Sequence, residues 1–320
     1  MELRVLRYFL AVAREESISG AAEYLHITQP TLSRQLMELE EELGAKLMIR
    51  GKRNRRIALT EEGMLLRRRA EEIVALADKT EAEFHARDEI TSGDVYIGGG
   101  ETDAMRLVAQ TAKRLSRTAP DVRYHLFSGN ADDVMERLDK GLLDFGILIG
   151  TANVEKYDYL TLPVTDTWGL LMRKDHPLAA RETIRPGDLE GIPLFGSRQA
   201  VMRNELSGWY GGDFERLNIT MTYNLIYNAA LMVDEGLGCA LCLDRLVNTT
   251  GDSNLCFRPL EPRLEARLVL VWKKYQVFSR AAQKFLETLQ KELIGDDEND
   301  GDNENDENDS DAVIPSSSRF

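Results

Sequence analysis

Histidine and cysteine are scarce in this chain of 320 residues, which holds four of the first and three of the second. A zinc or redox site needs several such ligands close together, and the pair Cys239 and Cys242 has neither a second pair nor a nearby histidine to complete one. Both sit inside an apolar run over 237 to 243, so they read as small core residues. No apolar stretch approaches the roughly 18 residues that cross a bilayer, and the N-terminus lacks the basic start and cleavage site of a signal peptide. A soluble, cytoplasmic protein with no membrane partner is expected. Also missing are a Gly-x-Ser-x-Gly elbow and a P-loop, and Gly98-Gly99-Gly100 lacks the spacing of a dinucleotide fingerprint. No catalytic residue, metal ligand or cofactor is therefore expected, and the chain does not read as an enzyme.

Positive charge is in deficit overall, with a formal net charge of -14, but the deficit is local. Residues 296 to 311 carry ten acidic side chains, and setting these and Arg319 aside leaves -5. Within that remainder, residues 50 to 56 place five basic side chains among seven. Net charge thus hides a basic patch of the kind that nucleic acid attracts. With 43% hydrophobic and 29% charged residues, the rest has globular composition and length for two or three domains.

In the first sixty residues, Leu3, Leu6, Leu10 and Ala13 repeat at helical spacing and predict an amphipathic helix. A short second helix carries Ala21, Ala22 and Leu25 on one face. His26, Ile27 and Thr28 break it, and Thr28 can cap a third helix with Pro30 in its first turn, where a missing N–H costs nothing. Two helices joined so tightly predict a helix-turn-helix. Leu32, Leu36, Leu39 and Leu43 share one face of the third helix, which points Arg34 away from the core. Around Arg34, the short side chains of Pro30, Thr31 and Ser33 let a helix settle into a major groove. Arg34 and Gln29 then either reach base edges or belong to a solvated helix face, and Gln35, nearer the flank, is a candidate phosphate contact. Apolar runs over 47 to 49 and 57 to 59 flank the basic tip and predict a wing, in which Arg50, Lys52, Arg53, Arg55 and Arg56 hold phosphates.

The run Ser17-Ile-Ser-Gly-Ala-Ala-Glu-Tyr-Leu-His-Ile-Thr-Gln-Pro-Thr-Leu-Ser-Arg-Gln-Leu, with Leu39-Glu40, Leu43-Gly44 and Leu59-Thr60-x-x-Gly63 behind it, resembles the LysR-type transcriptional regulators. By that resemblance Gln29, Pro30, Thr31, Ser33 and Arg34 fall on the DNA-reading part of the motif. The family implies a sequence-specific regulator of duplex DNA, assembled as a dimer of dimers, with RNA polymerase a further partner.

From Thr60, a candidate N-cap, to about residue 88 there is no proline. Leu66, Ala70, Ile73, Ala77, Thr80 and Phe84 alternate by four and three residues. Such a stripe either lies on its own chain's domain or, as the resemblance implies, pairs linker helices of two subunits.

Beyond the break at 91 to 93, short β runs at 95 to 98, 123 to 128, 145 to 149, 168 to 172, 219 to 223 and 268 to 272 alternate with helical patterns. They predict an α/β domain with largely parallel sheets. Leu138-x-x-Gly141-x-x-Asp144-x-Gly146-Ile147 and Met232-Val233-x-x-Gly236-Leu237-Gly238 match further family landmarks and read as fold markers. The family implies two lobes, like a periplasmic binding protein, with a small effector between them. The expected division is a winged helix-turn-helix at 1–59, a linker helix at 60–90 and an effector domain at 91–295. Lobe I takes 94–161 and 266–295, lobe II takes 162–265, and a disordered acidic tail fills 296–320.

Ligands in such folds sit beyond strand ends near helix N-termini. That singles out Glu101 and Thr102, then Ser128, Gly129 and Asn130, then Ser197, with Tyr227 as a further wall. Glu101 would repel an anion unless protonated or turned away, so an amine, an amino acid or an uncharged metabolite stays open beside a carboxylate. A metabolic enzyme or solute-binding protein on the same lobes is the alternative for this domain alone. The acidic tail reads either as a solubiliser or as a competitor of DNA for the wing.

Overall fold

Leu6, Phe9 and Val12 recur at three-residue steps along helix α1 (Leu3–Glu15), and all three are buried, as that periodicity requires. The computed structural model describes residues 1–49, 56–85, 92–150, 155–198, 206–211 and 217–299. Ser17 caps α2 (Ile18–Tyr24) by accepting the Gly20 N–H at 3.1 Å. His26, in the left-handed region at φ 55°, turns the chain into α3 (Gln29–Leu43). Thr28 holds the cap position, but its hydroxyl pairs with that of Thr31 at 2.8 Å instead of a backbone N–H. Strands β1 (Met48–Ile49) and β2 (Ala58–Leu59) form the antiparallel base of the wing. Gly63 packs so close behind them that a Cβ there would lie 2.0 Å from the Leu47 carbonyl oxygen.

One position on α3 departs from the expected pattern. Leu43 is 41% exposed, because the last turn of α3 runs past the helices it packs on, whereas Glu40 is buried. Its carboxylate accepts the Leu47 and Met48 N–H groups at 2.9 and 3.3 Å and pairs with Lys46 at 2.9 Å. Burial alone would raise the Glu40 pKa, but Lys46 and the two amides outweigh it and hold the carboxyl below its usual range.

Helix α4 (Glu61–His85) begins where Thr60 accepts the Gly63 N–H at 3.0 Å. Its apolar stripe is divided. Leu66 and Ala70 are buried in the core of the DNA-binding head with α1, and Arg7 of α1 pairs with Asp78 farther along. Ile73 and Phe84, on the same face, are 41% and 63% exposed, with Thr80 exposed and Ala77 half-buried. The head needs a fourth helix to close its core, so it takes the first half of the stripe, and most of the second half stays exposed. Glu72, Leu76, Lys79 and Glu83 lie about a quarter turn away, at about 100° per residue. From this face Glu72 pairs with Lys140 at 2.7 Å and Lys79 with Asp144 at 2.8 Å.

The second domain is built on one nine-stranded mixed sheet. β3 (Ser92–Gly99), β4 (Asp121–Ser128) and β5 (Phe145–Ile149) pair in parallel, with α5 (Met105–Leu115) and α6 (Ala131–Asp139) between them. β6 (Tyr157–Arg173) is 17 residues long and leaves this group for a second one. That group holds β7 (Leu194–Ser197), the single turn α7 (Ser207–Tyr210), β8 (Ile219–Tyr223), α8 (Ile226–Asp234), β9 (Cys239–Leu243) and β10 (Leu255–Pro259). β11 (Glu265–Lys273) returns, and α9 (Arg280–Asn299) packs back on the first group.

The expectation of largely parallel pairing holds within each group only. β6 and β11 run in opposite directions between the groups, so they pair antiparallel with each other, with β5 and β9, and with β10. Each group has its own core, around Phe145, Leu268 and Phe285 in one and Leu170, Leu194 and Leu241 in the other. Cys239, Cys242 and Cys256 are buried and free, and burial pushes the Cys239 thiol up to about 11. Among the described residues no helix is long and apolar enough to cross a membrane. The acidic run does not begin outside the fold as expected: its first four residues, 296 to 299, are the end of α9, which continues a helix already anchored at Phe285 and Leu289. Residues 300–320 lie outside the described residues.

The buried Glu40 carboxylate yields the first prediction. Glu40→Ala leaves the Leu47 and Met48 N–H groups without their acceptor and should destabilise the head by about 1–3 kcal/mol at neutral pH. A carboxyl held below its unfolded value stabilises the fold above that value, and the contribution fades as the pH falls through the folded pKa. Denaturant titrations of the full chain should therefore show the gap between wild type and Glu40→Ala narrowing in acid; a gap that does not change with pH contradicts it.

Candidate functional site

The first candidate surface is the outer face of α3. Gln29, Pro30, Thr31 and Arg34 are exposed there, and Ser33 and Gln35 are half-buried beside them. The buried stripe Leu32, Leu36 and Leu39 fixes this orientation. Arg34 donates from Nε to Glu38 at 2.8 Å, and Gln35 donates to the other oxygen of Glu38 at 2.8 Å. Glu38 therefore holds both side chains in place on this face. Sequence reasoning passed over it, although the i, i+4 spacing from Arg34 was the available signal. Arg56, at the foot of the wing, is exposed and pairs with Glu16 at 3.1 Å. Arg50, Lys52, Arg53 and Arg55 lie outside the described residues.

The second is a cavity of about 70 Å³ between the two strand groups. Glu101, Gly129, Asn130 and Ser197 all line it, so four expected residues from three separate loops meet at one place. Trp168, Tyr223, Asn224 and Ile226, which the sequence reading did not name, complete much of the wall. Asn130 caps α6, accepting the Asp133 N–H at 2.9 Å. The Tyr223 hydroxyl donates to the Leu241 carbonyl at 2.6 Å.

Glu101 is turned into the cavity in this arrangement. Its carboxylate reaches across the cavity and accepts the Ile226 N–H, in the first turn of α8. That helix has no side-chain cap of its own, so the Glu101 charge satisfies an N–H and faces the positive end of the helix dipole. Arg245, just after β9, forms a second tie: it pairs with Asp103 at 3.0 Å, and donates to the Thr165 carbonyl at 3.1 Å. Asp103 follows β3 in the first group, whereas Arg245 belongs to the second, so these contacts bridge the two.

Three expected residues stand apart from the cavity wall. Thr102 is buried, with its hydroxyl donating to Asp166 at 2.5 Å and accepting the Ala104 N–H at 3.1 Å. Its hydroxyl is therefore already committed within the fold. Ser128 is exposed at the end of β4, and Tyr227 is 69% exposed. Asp166 is almost fully buried, and its second oxygen has no hydrogen-bond partner, with Arg245 at 3.6 Å. Burial raises its pKa, and the Thr102 hydroxyl only partly offsets that. Among the described residues no group of His, Cys, Asp or Glu is arranged to hold a metal ion.

Comparison with known proteins agrees with this geometry along nearly the whole chain. Residues 3–64 match the family described as bacterial regulatory helix-turn-helix protein, lysR family, and residues 89–294 match the LysR substrate binding domain. The Hca operon transcriptional activator HcaR of Escherichia coli (strain K12) is 29% identical over 299 residues, covering 92% of this chain and 98% of that protein. The DNA-binding transcriptional dual regulator OxyR of the same strain is 32% identical over 195 residues, 61% of this chain and 63% of its own. Among solved structures, that of CbnR, a LysR family transcriptional regulator, shares the fold with a TM-score of 0.71 at 19% identity. It covers 91% of this chain and 99% of its own. Full-length CbnR in complex with its target DNA gives a TM-score of 0.69 at 20% identity. With the two family domains matched in order along one chain, the protein belongs to the LysR family of DNA-binding transcription regulators.

Proposed function

We propose that this regulator reads duplex DNA with the outer face of α3 and steadies itself on phosphates with the wing. A small molecule held between its lobes then sets how the DNA-binding heads are presented. The observation that carries the first part is the face of α3 itself, where Arg34 stands exposed among Gln29, Thr31 and Ser33 with only Glu38 to release. Supporting the second part is the cavity at the strand ends, where Glu101, Asn130 and Ser197 converge. A cavity of about 70 Å³ holds little more than a few waters, so a metabolite requires the lobes to part there. An effector that reaches the first turn of α8 has to displace Glu101 from the Ile226 N–H.

The exposed part of the α4 stripe beyond the head core, Ile73 and Thr80 with Ala77 half-buried between them, fits a second copy of the same helix and would pair two heads. A dimer of such dimers, with RNA polymerase as a further partner, extends this reading.

Two expected outcomes test it. Arg34→Ala should cost about 1–3 kcal/mol on a duplex selected by the wild-type protein and relax discrimination against random duplex. Equal weakening on both duplexes would remove Arg34 from base reading. For the cleft, a thermal-shift screen of cell metabolites against the full chain should return hits whose affinity changes in Glu101→Gln and in Ser197→Ala. A hit indifferent to both substitutions places the effector site elsewhere.

A further inference from the structure

The buried ion pair between Lys79 and Asp144 takes no part in reading DNA or in lining the cavity. Lys79 is 7% and Asp144 2% exposed, and they meet at 2.8 Å. The Lys79 ammonium also donates to the Gly141 carbonyl at 3.1 Å and stands 4.7 Å over the Tyr96 ring. The other Asp144 oxygen accepts the Tyr96 N–H at 2.8 Å. Burying two charges costs desolvation that their attraction only partly returns, so such a pair is weak grounds for stability. Its directional bonds instead fix where α4 sits along and around its axis on the first lobe. Gly141 makes this possible: its φ of 72° is in the left-handed region and turns the chain between α6 and β5.

Two further contacts give the pair its place in the whole chain. Asp78, the residue before Lys79, pairs with Arg7 of α1. Neighbouring residues of one helix are therefore bonded to the DNA-binding head on one side and to the first lobe on the other. On the lobe side, β5 starts at Phe145, directly after Asp144, and ends at Ile149, which lines the cavity. β3, whose Tyr96 N–H binds Asp144, ends at Gly99, just before Gly100 and Glu101 in the same wall. β3 and β5 are hydrogen-bonded neighbours, and five residues of strand span on the order of 17 Å at about 3.3 Å per residue. No loop separates the linker joint from the effector cavity.

We propose that Lys79 and Asp144 form the joint that positions the linker helix, and with it the DNA-binding head, on the first lobe. A change at the cavity end of β3 and β5 then reaches the head as a change in the angle of α4. The part of this inference that concerns signalling rests on the proposed effector cleft. The joint itself does not, and it is tested without any effector.

The test uses the full chain carrying spin labels at Glu23→Cys in the head and Leu126→Cys on β4. Both positions are exposed, whereas the native cysteines are buried. Mixing with excess unlabelled wild type leaves only distances within one chain. Wild type should give one narrow distance peak, and Lys79→Met should lose it to a broad distribution. Because a lone buried Asp144 carboxylate can unfold the lobe, the paired change Lys79→Met with Asp144→Asn is measured as well. This neutral pair should stay folded and bind random duplex as wild type does, yet show the same broad distribution. A narrow wild-type peak in the neutral pair, with or without a lower melting temperature, overturns the proposal, because the pair would then serve folding alone.

Discussion

A single helix, α4, has to satisfy three surfaces with 25 residues, and the arrangement of everything else follows from how it divides them. Leu66 and Ala70 complete the core of the head, Glu72 and Lys79 dock on the first lobe, and Ile73 and Phe84 stay exposed. The division works because the apolar stripe repeats near every 3.5 residues while the polar docking face lies about a quarter turn away. A helix with only one apolar face, lying wholly on its own domain, would leave no surface for a second chain. One wholly free of its own domain would leave the head without a fourth core helix. Intermediate burial of the stripe is thus the compromise that lets a small head fold and, in the pairing proposed above, keeps a face for a second chain.

The cleft follows a related economy. Two groups of strands share one sheet through β6 and β11, so the lobes cannot separate without strain in those two strands. Across the gap, Glu101 caps α8 and Arg245 ties Asp103 to Thr165. Both ties satisfy polar groups that would otherwise meet water if the lobes parted, so parting them costs these contacts. On the proposed reading, an effector shifts the lobes only by the difference in its affinity for the parted and the unparted arrangement. A group that takes over from Glu101 at Ile226 supplies such a difference, because it can bind there only after that tie is released.

Much of this was legible in the sequence because local rules decided it. The helix-turn-helix followed from Leu32, Leu36 and Leu39, from Pro30 in a first turn and from the tight break at His26. The strands at 145 to 149 and 219 to 223 were bounded correctly, the first as a short apolar run of strand length and the second by its strict alternation, Ile-Thr-Met-Thr-Tyr. What escaped depended on partners distant in sequence. Glu40 entered only as part of a family landmark, because nothing local shows that the Leu47 and Met48 amides reach its carboxylate. Thr102 looked like a ligand contact because nothing local shows that Asp166, 64 residues on, receives its hydroxyl. Asp144 read as a fold marker because Lys79 lies 65 residues before it. The antiparallel pairing of β6 was hidden for the same reason, since periodicity within a strand says nothing about the direction of its neighbour.

Whether paired heads of this regulator read DNA by sequence, as proposed, is decided by selection of binding sites. A pool of random duplexes is enriched on the full-length protein at physiological salt, sequenced, and the winning duplex is footprinted. The account predicts a motif of two inverted half-sites separated by whole helical turns, each protected on one face of the duplex. Enrichment of no sequence over the starting pool, or of a lone half-site bound by a single chain, would contradict it.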